Sequence, residues 1–291
     1  MFRLRRNLLF CPASNAKLLA SAHTRRPDCI VFDLEDSVTF TEKQNARKML
    51  CESLQTVDRS DIEIFVRINP QGTPFYEDDV REIVKAGARN IRLPMCEKKE
   101  HVTELADMLQ ELERELVPGY VVKIACSFET PRGVMSAMEI ASASERVTAV
   151  SFGAEDYLAS LGVARSAGAE QLLYARSHIA IVANICGVSA FDTVFTDTGD
   201  AEGFLAEAKL AQALGFSGKS CIHPSQLALA NSVFSPSERE IEYSQKVLDE
   251  AEKAQRQGLG VFLLDGKMID APIIDRAKQI IEISELIQKC R

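Results

Sequence analysis

Residues 121–153 read VVKIACSFETPRGVMSAMEIASASERVTAVSFG. The stretch opens on an apolar run, VVKIACSFE (121–129), and closes on a second, VTAVSFG (147–153). Both runs are continuous rather than alternating, the pattern of strands buried on both faces of a parallel sheet. Six similar runs lie outward of this pair: NLLFCPA (7–13), CIVFDLE (29–35), IEIFVRIN (62–69), NIRLPM (90–95), VSAFDTV (188–194) and SGKSCIHP (217–224). Their starts recur every 22–41 residues, the length of a strand plus a crossover helix. The intervening segments carry helical periodicity. Val80, Ile83 and Val84 share a face of 75–86, Val102, Leu105, Leu109 and Leu112 a face of 97–116, and Phe204, Ala208 and Ala211 a face of 203–214. Gly87, Gly187 and Gly215 stand where C-caps belong. Eight strands alternating with helices predict a (β/α)8 TIM barrel over residues 1–230. An open doubly wound sheet competes, but it usually carries a glycine-rich first turn, and CPASNAK (11–17) has no glycine.

The pattern changes after Pro224. Ser235-Pro-Ser-Glu238 reads as a capping box opening a helix to about Gln257. VFLLDGKMI (261–269) reads as a hairpin around Asp-Gly, and a last helix runs from Pro272 to about Ile287. This helix–hairpin–helix extension, residues 231–291, is too small for an independent enzyme and predicts a lid or an oligomer contact.

Composition narrows the function. The chain has 291 residues, 46% of them hydrophobic, enough for a full core. Its 34 basic and 42 acidic residues give a net charge of −8, which argues against binding nucleic acid through phosphate neutralisation. No apolar run reaches the roughly 18 residues of a membrane span. The arginine-bearing start MFRLRRNLLFCPAS lacks the apolar length of a secretory leader, so a cytoplasmic protein is expected. The eight cysteines are scattered, with no CxxC, and predict reduced structural thiols rather than zinc or disulfides.

A TIM barrel places its chemistry at the C-terminal ends of its strands. There the sequence sets Asp33, Glu35 and Asp36 after strand two, Arg67 and Asn69 after strand three, Glu129 after strand five and Asp156 after strand six. Asp192 follows strand seven, and Lys219 and His223 stand at strand eight. Carboxylates on neighbouring strands with open positions between them suit Mg²⁺, which keeps much of its octahedron for water and substrate oxygens. Glu129 and Asp156 are the candidate pair; they could equally cap helices or pair with arginines. Mn²⁺ would accept the same donors. Arg67 offers a bidentate fork for a substrate carboxylate, or a partner for the acidic rim. His223, before a proline, could serve as a general base but reads first as a structural histidine. GxGxxG, Walker A and GxSxG motifs are absent.

The stretches RRNLLFCPASNAKLLASA, VFDLEDSV, VRIN, RLPM, SFETPRGV, ASASERV, FGAEDY, YARSHI, AFDTVFTD, GFSGKSCIHPSQL and GKMIDAP span nearly the whole chain. In order and spacing they resemble the citrate lyase β-subunit family, which includes malyl-CoA and citramalyl-CoA lyases. The resemblance implies a (β/α)8 barrel with a C-terminal extension, assembled as homotrimers or hexamers. It implies Mg-dependent cleavage of a 3-hydroxy acyl thioester to a 2-oxo acid and a short acyl thioester. Glu129 and Asp156 would then hold Mg²⁺. Arg67 and the backbone at Gly153 and Ala154 would hold the oxo-acid carboxylate, and Asp33, Glu35 and Asp36 would surround the metal-bound waters. Asp270, in GKMIDAP, would be the acid/base, delivered from a neighbouring subunit, although its position before Pro272 also fits a helix cap. Lys17, Arg25 and Arg26 could meet phosphates of coenzyme A (CoA) or of a carrier arm.

The leading expectation is a CoA-thioester lyase, citramalyl-CoA giving acetyl-CoA and pyruvate. The alternative is the β-subunit of a citrate lyase complex, acting on citryl bound to an acyl carrier protein. The IHPSQ stretch around His223 leans toward the CoA users. A non-catalytic binder of CoA esters and a phosphoenolpyruvate-type barrel enzyme are the readings from other classes.

Overall fold

A computed structural model of the chain describes residues 4–56, 62–116, 119–166 and 168–289. Eight strands, β1 (Asn7–Pro12), β2 (Cys29–Asp33), β3 (Glu63–Arg67), β4 (Asn90–Leu93), β5 (Lys123–Phe128), β6 (Val147–Phe152), β7 (Ser189–Asp192) and β8 (Gly218–Cys221), close in sequence order into a parallel barrel. β1 pairs with both β2 and β8, so no edge is left open. This is the predicted (β/α)8 barrel. The strands are shorter than the apolar runs, whose last residues turn onto the rim.

Side chains alternate along each strand, so the barrel interior fills in layers. Leu8, Cys29, Val31, Phe65, Ala125, Ala149 and Phe191 pack as one apolar floor. Phe65 and Phe191 meet edge to face with centroids 6.2 Å apart. Two residues further along the strands the interior becomes polar, with Arg92, Ser127 and Ser151 buried beside the part-buried Phe10. The same step of two from Val31, Phe65 and Phe191 reaches Asp33, Arg67 and Thr193, and a second step from Ala125 and Ala149 reaches Glu129 and Gly153. The outer helices bury the stripes that the spacing predicts: Val80, Ile83 and Val84 on Tyr76–Lys85, and Val102, Leu105, Leu109 and Leu112 on Lys99–Leu116.

The barrel unit spans Arg5–Asn231, and a second compact unit takes the chain from Ser232 onward. The second unit packs helix Glu238–Arg256, the hairpin β9 (Phe262–Leu264) and β10 (Lys267–Ile269), and helix Ala271–Lys289 around Val247, Ile269 and Ala277. Its capping box is not the predicted one. Two overlapping Ser-x-x-Glu frames exist, and Ser237 with Glu240 closes the box, leaving Pro236 outside the helix. The hairpin turn holds Asp265 and Gly266 at φ 49° and 77°, the paired left-handed geometry of a tight two-residue turn.

The described cysteines are free thiols, five of them buried, and Cys290 lies outside the described residues. Burial pushes Cys11 and Cys221 up to about 12, so neither is a thiolate near neutrality. No helix among the described residues is long and apolar enough to cross a membrane.

Candidate active site

The site is built where β2, β3, β5 and β6 end. Arg67 occupies its centre. Its Nε and Nη2 donate to the two oxygens of Asp33 at 2.6 and 2.7 Å. Its Nη1 donates to Asp36 at 3.0 Å and lies 2.8 Å from Glu35 as an ion contact. The fork expected for a substrate carboxylate is therefore held by the residues expected around metal-bound waters. Asp33 is buried and also accepts from the Glu35 N–H and from Ser37. These bonds, Arg67 foremost, outweigh the desolvation that opposes them and keep its carboxyl below the usual range.

Glu129 rises from the end of β5 with 3% of its surface exposed. Its Oε2 accepts from the Met95 N–H at 2.8 Å. Met95 adopts a left-handed φ of 52°, an uncommon conformation for a non-glycine residue, and that turn brings its N–H to the carboxylate. Gly153 leaves the space on the other side: a Cβ there would lie 2.5 Å from Glu129 Cγ. Asp156 sits in the first turn of helix Ala154–Leu161, exposed at the rim, and its charge acts on Glu129.

The electrostatics favour a cation. Burial pushes Glu129 up, and Asp156 adds to the shift against the pull of Arg67 and Arg92. Asp156 is raised by desolvation and then by Asp36. Desolvation, with Glu129, Asp36 and Asp33 adding to it, pushes Glu35 up to about 9 despite Arg67. Five carboxyl groups thus face two guanidinium groups, Glu35 keeping its proton near neutrality. Among the described residues no three His, Cys, Asp or Glu side chains converge on one metal position. Mg²⁺ needs only one or two carboxylates, so the donor set of Glu129 and Asp156 fits that ion and not a cation caged by protein alone.

The backbone donors expected to hold a carboxylate are engaged. The Gly153 N–H bonds the Phe128 carbonyl at 3.0 Å. The Ala154 N–H donates to the Thr193 hydroxyl at 3.1 Å. A bound carboxylate at Ala154 has to replace that hydroxyl.

Lys17, Arg25 and Arg26 are exposed on the segment that follows β1, and Arg26 closes a helical turn with φ 50°. Asn69 is tied to Asp79 by both its backbone and its side-chain nitrogen. His223 is exposed, and its Nδ1 meets the Ser225 hydroxyl at 2.8 Å and accepts from the Ser225 N–H at 3.2 Å. Asp192 and Lys219 form a buried network with Arg176 and Glu207. Lys219 also donates to the Thr193 carbonyl at 3.0 Å. Asp270, in the second unit, joins β10 to the last helix; its carbonyl accepts from the N–H groups of Ile273 and Ile274. Sequence reasoning gave no role to Met95, Thr193 and Arg92, although all three lie in stretches that carry the resemblance, RLPM and AFDTVFTD.

Residues 6–224 match the family HpcH/HpaI aldolase/citrate lyase. The chain is 40% identical over 283 residues to the citrate lyase subunit beta of Leuconostoc mesenteroides subsp. cremoris, covering 97% of this chain and 94% of that one. It is 28% identical to the mitochondrial citramalyl-CoA lyase of Homo sapiens, covering 98% of this chain and 87% of that one. Among solved structures, CitE from Mycobacterium tuberculosis in complex with magnesium, acetoacetate and coenzyme A superposes with a TM-score of 0.78. The two are 30% identical, covering 96% of this chain and 97% of that one. The barrel, its carboxylate-lined rim and these likenesses show that the chain belongs to the HpcH/HpaI aldolase/citrate lyase family.

Proposed function

We propose that the chain is a Mg-dependent carbon–carbon lyase of the citrate lyase β-subunit kind, cleaving a citryl thioester to oxaloacetate and an acetyl thioester. The observation that carries this reading is the buried Glu129 carboxylate, held by the Met95 N–H beside Asp156 in a rim with surplus negative charge. The 40% likeness to a citrate lyase subunit beta, against 28% to a citramalyl-CoA lyase, supports citryl over citramalyl and reverses the order expected from the sequence.

Glu129 and Asp156 are the residues that would hold magnesium. When bound, the ion supplies positive charge against the substrate oxygen on which charge collects. Arg67, oriented by Asp33, takes the carboxylate of the forming oxo acid. In the reaction a base removes the proton of the C3 hydroxyl. The bond from C3 to the thioester-bearing carbon breaks, and its electron pair forms the thioester enolate. An acid then protonates that carbon. Asp270 is assigned the acid/base role, supported by the family motif GKMIDAP and by its partly exposed position. Lys17, Arg25 and Arg26 are exposed cations suited to phosphates of CoA or of a carrier arm. Homo-oligomers and a multi-subunit complex both fit the family.

The test is oxo-acid release by the purified protein with Mg²⁺ from citryl-CoA, citramalyl-CoA and malyl-CoA in turn. Oxaloacetate from citryl-CoA, or from citryl carrier protein once carrier and transferase subunits are added, is the expected result. Pyruvate from citramalyl-CoA as the preferred product would replace the citrate lyase reading by the citramalyl one. Tight acyl-CoA binding, indifferent to chelator and without turnover, would mark a non-catalytic binder.

A further inference from the structure

The interior of the barrel holds a charge that the proposed chemistry does not use. Arg92 projects inward from β4 and is 4% exposed. Its Nε donates to the Ser127 hydroxyl at 2.9 Å, and Ser127 shares a 2.9 Å hydrogen bond with the Ser151 hydroxyl. Its Nη1 is buried without a hydrogen-bond partner. Among the described residues no carboxylate lies within ion-pair distance of it. TIM-barrel interiors are packed mostly with branched apolar side chains. A buried cation without a counterion is costly. Burial and then the nearby Arg67 bring the guanidinium down to about 10, against the pull of Glu129, Asp33 and Glu35 beyond ion-pair distance. Arg67 and Arg92 both lie against the ring of Phe10, at 5.3 and 4.9 Å from its centroid. Phe10 is the part-exposed member of this layer.

We infer that Arg92, with the Ser127 and Ser151 hydroxyls, forms an anion subsite for the distal carboxylate of a four-carbon 2-oxo acid. The inference rests on the lyase reading above and supplies its substrate specificity. Oxaloacetate and pyruvate share the oxo-acid head that Arg67 and the metal would grip. They differ in the group beyond the carbonyl, a carboxymethyl in one and a methyl in the other. A carboxylate there gives Arg92 a direct ion-pair partner and takes the orphan Nη1 donor. A methyl leaves both unmet, and sites built to pair a polar group reject analogues that lack it.

The test is calorimetric binding of oxaloacetate and of pyruvate to the full chain with Mg²⁺, without thioester. The wild type is expected to bind oxaloacetate at least tenfold more tightly. Arg92→Met should weaken oxaloacetate tenfold or more and change pyruvate less than twofold, with the melting temperature unchanged or raised because an unpaired buried charge is gone. Ser127→Ala keeps the charge and should weaken oxaloacetate alone, by about threefold. Should Arg92→Met fail to fold, Ser127→Ala is read by the same criterion. Equal weakening of both oxo acids would overturn the subsite and make Arg92 structural, while leaving the lyase reading intact. Wild-type protein that binds neither would overturn both.

Discussion

Three neighbours fix the Glu129 carboxylate: the Met95 N–H, the space at Gly153 and the charge of Asp156. Glu129→Gln keeps the shape and removes the negative charge. It should lower turnover by two orders of magnitude or more and leave the melting curve in place, read by oxo-acid release and thermal unfolding. Activity at a tenth of wild type would refute its assignment as a metal ligand. Glu35 gives a pH prediction. The folded chain holds its carboxyl near 9 against an ordinary 4.5, chiefly because it is buried. Between those values the folded state keeps a proton that the unfolded state has released, so stability falls as pH rises through the window. Melting temperatures taken in chelator from pH 5 to 9 should decline more steeply for wild type than for Glu35→Gln. Parallel slopes would count against it. Glu129, Asp156 and Arg67 were legible in the sequence because chemistry at a barrel's strand ends can be found by counting from each apolar run. Arg92 was not, since RLPM reads as an ordinary strand end and nothing local says that an arginine turns inward. Nor could a methionine's left-handed φ be read from its neighbours.

Among the elements, helix Ala154–Leu161 shows how a site is held from behind. Its first N–H is fixed by the Thr193 hydroxyl, and the Thr193 carbonyl is held by the buried Lys219. Asp156 lies two residues beyond that pin. Thr193→Val removes the acceptor at nearly constant volume. It should weaken Mg²⁺ binding about three- to tenfold, measured by titration without substrate, and Thr193→Ser should restore it. Failure of the serine variant to rescue would reduce Thr193 to a packing role. Strand count and order were legible because every apolar run is separated from the next by a crossover helix. The start of helix Glu238–Arg256 was not, because SPSE and SERE offer the same capping signature and only the placement of Pro236 outside the helix separates them.

For the whole molecule, the proposed site, with Asp270 delivered from a neighbouring subunit, would be completed by more than one chain. Asp270→Asn should depress kcat far more than it weakens oxo-acid binding. Mixed with Arg67→Ala protein, it should recover part of the lost activity, since one kind of site in a mixed oligomer would then hold neither defect. Two inactive variants that stay inactive on mixing would place acid/base and clamp in the same chain. Net charge and apolar content excluded broad classes, but they could not rank citryl against citramalyl. That choice turns on groups as small as a carboxylate, which composition does not register.

Gly153 carries a consequence for how such a protein can change. Glu129 and residue 153 directly follow neighbouring strands and share one volume, so a single methyl at 153 evicts the carboxylate although the barrel's hydrogen bonds need not change. A descendant with alanine there would still be expected to fold as a barrel, yet would displace the carboxylate proposed to hold a cation. To regain the chemistry, positions 129 and 153 would have to mutate together. The two residues form one heritable unit, and Gly153→Ala is the smallest step from an enzyme to a silent scaffold.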